Sequence, residues 1–103
     1  MKLRMDRLWS RVNKDIFNGE LDKPIFALHY DPSMYGYHTV WGGQHIISLQ
    51  AEMKYFRNAT TMAHEMIHQW QYDNGLKRNH GKQFKKMAKK IARYYRIKDK
   101  AIV

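Results

Sequence analysis

His64-Glu65-Met66-Ile67-His68 is the stretch that decides how this chain is read, because on a helix it sets two imidazoles one turn apart with a carboxylate beside them. Positions four apart lie about 40° from one another around an α-helix, so His64 and His68 can face one metal ion. Glu65 lies roughly 60° round from His68, outside the ligand pair but within reach of a water at the metal. Around the motif, Ala63, Met66, Ile67 and Trp70 recur at helical spacing. Thr60 and Thr61 offer caps for the helix start, and Asn74-Gly75 ends it.

Catalytic zinc sites hold three protein ligands and leave the fourth position to water. No Glu follows Glu65, and the later acidic residues are Asp73, wrongly spaced on the same helix, and Asp99. A downstream glutamate ligand is thereby excluded. The extended H-E-x-x-H-x-x-G-x-x-H pattern fails as well, since Gln71 and Asn74 stand at its Gly and His positions. One downstream histidine remains, His80 in Asn79-His80-Gly81. There, a chain leaving the first helix at Gly75 can turn back and open a second helix at Lys82. One Zn2+ held by His64, His68 and His80, with Glu65 as the base, is the expected site.

His29, His38 and His45 lie on or beside strands and read as packed or surface residues. His45 would line a substrate groove if its strand ran along the motif helix, as an edge strand does in many zinc peptidases. Tyr72, His45 and Arg78 are the candidates for stabilising an oxyanion. Gly81 is expected to permit the close turn at His80, and Phe84 to anchor the following helix in the core.

Composition limits what surrounds this site. With 103 residues and no cysteine, the chain is expected to be one domain over residues 1–103, without disulfides or thiolate ligands. Met1 to Trp9 alternates apolar and charged residues, unlike a signal peptide, and no run approaches a membrane span. A soluble, cytoplasmic monomer is the expectation.

The net charge of +10 is unevenly placed. Residues 1–76 balance acid and base, whereas residues 77–103 carry 11 basic residues and the single acid Asp99. Lys82, Lys85, Lys86, Lys89, Lys90 and Arg93 follow helical spacing opposite an apolar stripe of Phe84, Met87, Ala88, Ile91 and Tyr95. Together with Lys77 and Arg78 they make a cationic face with almost no acid to offset it. Such a face points to a polyanion, nucleic acid before a merely solubilising surface. The inner stripe is needed for the core, which argues against a membrane.

The rest of the chain supplies a frame. Met5, Leu8, Trp9, Val12 and Ile16 predict an N-terminal helix ending near Asn18-Gly19. Lys23-Pro24 starts an extended stretch, Ile25 to Tyr30, and Asp31-Pro32-Ser33 marks a turn. Tyr35 to Gln50 reads as a hairpin around Gly42-Gly43. The pattern predicts an α+β protein: an N-terminal helix, a small antiparallel sheet of two or three strands, the motif helix and a basic C-terminal helix.

Three segments, Asn13 to Leu21 (NKDIFNGEL), His64 to Trp70 (HEMIHQW) and His80 to Phe84 (HGKQF), resemble the SprT-like family of zinc metallopeptidases, which includes the Spartan-type proteases of DNA-protein crosslink repair. With the strands between them, these segments cover nearly the whole chain. The resemblance implies a zincin-like α+β fold in which a helix and a short sheet pack on the active-site helix, and in which the third zinc histidine opens the next helix. It also implies cleavage of DNA-bound or DNA-crosslinked proteins, with DNA as recruiter or activator. Many relatives add a cysteine zinc ribbon after the protease domain. This chain has no cysteine, so Lys77 to Lys100 would carry the DNA binding. Two other readings of the residues stay open: a nucleic-acid-binding module with a structural zinc, and a zinc hydrolase of a non-peptide substrate.

Overall fold

Apolar residues every three or four positions make α1 (Lys2–Phe17) an amphipathic helix that buries Met5, Trp9, Val12 and Ile16. The structure, a computed structural model, describes residues 2–102, the side chains of Tyr55 and Phe56 aside; Met1, the start of the N-terminal pattern, lies outside the described residues. Asn18 and Gly19 end α1 in the left-handed region, with φ of 56° and 73°. Asn13 closes this turn. Its side-chain amide donates to the Leu21 carbonyl at 3.2 Å, and its Oδ1 accepts the Leu21 N–H at 3.1 Å. Both backbone groups of a buried leucine are thereby satisfied.

Strands β1 (Ile25–His29), β2 (Gly36–Trp41) and β3 (Gln44–Gln50) form one sheet in the order β1-β3-β2. β2 and β3 are the expected hairpin, with Trp41 opposite Gln44 across Gly42-Gly43. Both glycines have positive φ, 58° and 78°, as a tight hairpin turn demands. β1 runs parallel to β3, from Ile25 opposite Ile46 to His29 opposite Gln50. The sheet is therefore mixed and not wholly antiparallel, and β3 is its central strand. Turn signals report only which neighbouring strands pair. The central place goes to the strand whose consecutive residues Ile47, Ser48 and Leu49 are buried on both faces.

Helix α2 (Tyr55–Asp73) begins five residues before the expected threonine caps, with Lys54 at its N-cap and no capping side chain. Thr60 and Thr61 are buried inside the helix instead. Thr60 bonds its hydroxyl back to the Arg57 carbonyl at 3.2 Å. Thr61 packs against β2 at Gly36, where a Cβ would lie 2.6 Å from Thr61 Cγ2 and 2.9 Å from the Ser48 carbonyl oxygen. Only glycine lets the strand approach the helix so closely. Met62, Ala63, Met66 and Ile67 of α2 share one core with Met5 and Trp9 of α1, Ile47 and Leu49 of β3, and Phe84 and Ile91 of the last helix.

After Asn74 and Gly75 (φ 68°) the chain crosses to α3 (Lys82–Tyr95), which starts where expected. It buries Phe84, Ala88, Ile91 and Ala92. Arg96 ends it at φ 58°, and a 3₁₀ turn, Asp99–Ala101, brings Ile102 back into the core. Among the described residues no helix is long and apolar enough to cross a membrane.

Candidate metal centre

His64 and His68 leave α2 one turn apart and His80 arrives from the loop before α3, so that one nitrogen from each ring lies within 4.8 Å of the others. His68 Nε2 and His80 Nε2 are 3.2 Å apart. The outer nitrogens of the two helical rings are anchored. His64 Nδ1 donates to the Ile102 carbonyl at 2.6 Å, and His68 Nδ1 donates to Gln71 Oε1 at 2.8 Å. Both partners are oxygen acceptors, which places the ring protons on Nδ1 and leaves the Nε2 lone pairs facing the cluster.

Burial pushes the His64 pKa down to about 4 and lowers that of His68, so both are neutral near pH 7. Neutral imidazole is the form that ligates metal. The residues therefore fit one ion: three nitrogen donors converge, and two are oriented from behind. No carboxylate or fourth histidine joins the group among the described residues, which leaves a coordination position for a non-protein ligand. Phe84 forms the floor, its ring 4.8 Å from His64 and His80 and 5.1 Å from His68, centroid to centroid. It anchors α3 in the core, as expected.

Glu65 is 4 % exposed, with Oε2 4.0 Å from His64 Nε2. Among the described residues nothing hydrogen-bonds its carboxylate. Burial raises its pKa to about 7. A carboxyl poised there can hold or release a proton near neutrality.

Two glutamines escaped the sequence reading. Gln71 is fully buried and links His68 to the residue before His80, because its Oε1 takes the His68 proton while its Nε2 donates to the Asn79 carbonyl at 3.0 Å. Gln69, also fully buried, accepts from Trp9 Nε1 at 3.1 Å and donates to the Asp22 carbonyl at 2.7 Å, which fastens α2 to α1. A helical glutamine ordinarily faces water. The signal was their position on either side of Trp70 in a helix enclosed on several sides.

The upstream histidines stay outside the metal group. His29 bonds Ser48 Oγ at 2.8 Å and the Met34 carbonyl at 2.9 Å, a packing role. His45 belongs to the central strand, is 7 % exposed and has both ring nitrogens engaged, so it does not line a groove along an edge strand. Gly81 has an ordinary φ of −80°. The constraint there is a tight contact and not a positive φ, since a Cβ would lie 3.0 Å from Asn79 Oδ1, the side-chain atom that accepts the Gly81 N–H.

Of the basic residues singled out, Lys77, Lys82, Lys85, Lys86, Lys89 and Arg93 are exposed, and among the described residues their side chains make no ion pair or hydrogen bond. Lys90 donates to the Ile16 carbonyl at 3.3 Å, and Arg78 is bonded to His38. Lys86, Lys89, Lys90 and Arg93 line an open groove of ≈ 780 Å³ with Trp70, Met87 and Tyr94. The family model described as SprT-like family matches residues 5–101. No curated protein and no solved structure matches the chain.

Proposed function

The chain belongs to the SprT-like family, and on that basis we propose that it is a zinc-dependent peptidase acting on proteins bound or crosslinked to DNA. The observation that carries this reading is the convergence of His64, His68 and His80 beside the buried carboxylate of Glu65. Zinc held there would polarise a scissile carbonyl and acidify a water molecule. Glu65 takes the proton of the attacking water and passes it to the leaving nitrogen. Phe84 closes the site from below and keeps water to the open side.

The absence of a fourth protein ligand among the described residues favours a catalytic ion over a structural one. The cationic face of α3, with Lys77 ahead of it, supports DNA as the partner that brings substrate to this site. Incubation with a labelled DNA-binding protein and with labelled DNA, each with and without chelator, tests the proposal. The protein is expected to be cut only without chelator and the DNA to stay intact. Cleavage of the DNA, or of neither, contradicts it.

A further inference from the structure

A second polar chain lies between the sheet and the end of α2. Arg78 Nη1 is 3.2 Å from His38 Nδ1 and 3.2 Å from the His38 carbonyl oxygen. His38 Nε2 is 2.8 Å from His45 Nδ1, and His45 Nε2 is 2.7 Å from Asp73 Oδ1. The guanidinium settles every proton along this chain. It can only donate, so His38 accepts at Nδ1, carries its proton on Nε2 and gives it to His45 Nδ1. His45 then carries its own proton on Nε2 and gives it to Asp73. One arrangement satisfies all four residues with both rings neutral, in keeping with burial that holds the His38 pKa down to about 3. Tyr72 covers the chain, its ring centroid 6.4 Å from that of His38, 5.4 Å from that of His45 and 5.7 Å from the Arg78 guanidinium carbon.

Arg78 is also fixed to the backbone of an edge strand. Gln50 N–H bonds the Tyr35 carbonyl, so the two-residue alternation of an antiparallel pair turns the backbone groups of Gly36, His38 and Val40 away from β3. No strand lies beyond β2 among the described residues. The guanidinium takes up one of these outward carbonyls.

The loop that Arg78 belongs to needs such anchors. His64 and His68 are held by α2, whereas His80 is exposed, on a segment, residues 74–81, in which only Leu76 and Gly81 are even half-buried. Beyond Gly75, and apart from the His68–His80 contact at 3.2 Å inside the histidine cluster itself, the side-chain hydrogen bonds that tie this segment to the rest of the molecule are, among the described residues, those from Gln71 to Asn79 and from Arg78 to His38. A metal ligand must sit within about 0.5 Å of its working position, and a loop achieves that only when its neighbours lock it.

We propose that Asp73, His45, His38 and Arg78 form a positioning strut that holds the 74–81 loop against the sheet and so places His80 to complete the metal site. The strut rests on the reading of His64, His68 and His80 as metal ligands. It acts on the loop and not on the ion, so its loss weakens metal binding while the three ligands remain.

Co2+ affinity, measured on the full chain by competition with a chromophoric chelator, tests it, with the unfolding temperature of each metal-free variant recorded alongside. Asp73→Ala, His45→Ala and Arg78→Ala are expected to bind Co2+ about tenfold or more weakly, the range found for partners behind metal ligands. Asp73→Asn should recover most of the loss, because its amide oxygen still accepts the His45 proton. The double variant Asp73→Ala/Arg78→Ala should be no weaker than the worse single one, since both break one chain. Arg78 is exposed, so its substitution leaves a folded protein to measure even if a buried change does not. Wild-type affinity in Arg78→Ala, or an Asp73→Asn loss as large as that of Asp73→Ala, overturns the strut alone. A wild-type chain that binds no Co2+, or a His80→Ala chain that binds it as tightly, overturns the metal reading and the strut with it.

Discussion

Glu65 is a buried acid, and its titration has a consequence for the metal-free protein. Its carboxyl releases its proton at about 7 in the fold, against an ordinary 4.5. Between these values the folded chain binds more protons than the unfolded one, so stability falls as pH rises from about 4.5 to about 7. The loss amounts to roughly 3 kcal/mol at 1.4 kcal/mol per unit. Metal-free Glu65→Gln, which carries no charge to bury, should therefore be more stable than wild type by up to about 3 kcal/mol at pH 8, with the gap closing toward pH 4. Urea unfolding across this range measures it; a gap that stays constant, or opens toward acid, contradicts the burial of an ionised Glu65. At this scale the cluster itself was legible in sequence, since helical spacing pairs His64 with His68 and elimination leaves His80. Its supports were not. The Ile102 carbonyl that orients His64 is a backbone atom 38 residues away, and no side-chain type announces it. The pairing of His38 with His45 is invisible for a related reason, because two strand histidines look alike whether they face water or each other.

At the scale of elements, α3 has two faces: Phe84, Ala88, Ile91 and Ala92 belong to the core, and the lysines opposite are exposed. Lys90 also closes the end of α1 through the Ile16 carbonyl. Replacing Lys85, Lys86 and Lys89 by Gln should therefore weaken DNA binding without disturbing the helix. The log-log salt slope should flatten by about 0.9 for each phosphate that the variant no longer neutralises. Fluorescence anisotropy with a labelled duplex at several salt concentrations reads both quantities, and unchanged affinity with an unchanged slope removes this face as the DNA-binding surface. The end of α1 and the start of α3 were readable because Asn18-Gly19 and His80-Gly81 punctuate them. The start of α2 was not, since Thr60-Thr61 has the composition of a cap but lies inside a helix that begins at Tyr55. The parallel pairing of β1 was equally hidden, because hairpin chemistry is local and the choice of central strand is made by burial across the whole sheet.

For the molecule as a whole, α2 is the axis on which everything else is hung. Gln69 ties it to α1, Gly36 lets β2 rest on it, and Phe84 brings α3 beneath the histidines. The returning C-terminal segment reaches it through Ile102. The histidine cluster thus lies where independent parts of a small fold meet, and the proposed chemistry rests on one carboxylate at that junction. The most direct test of that assignment compares wild type and Glu65→Gln, both loaded with Zn2+ and matched for bound metal, in cleavage of a DNA-bound protein. Equal zinc content with cleavage lost by the variant is the expected result. Equal zinc content with cleavage retained would contradict the account at its centre.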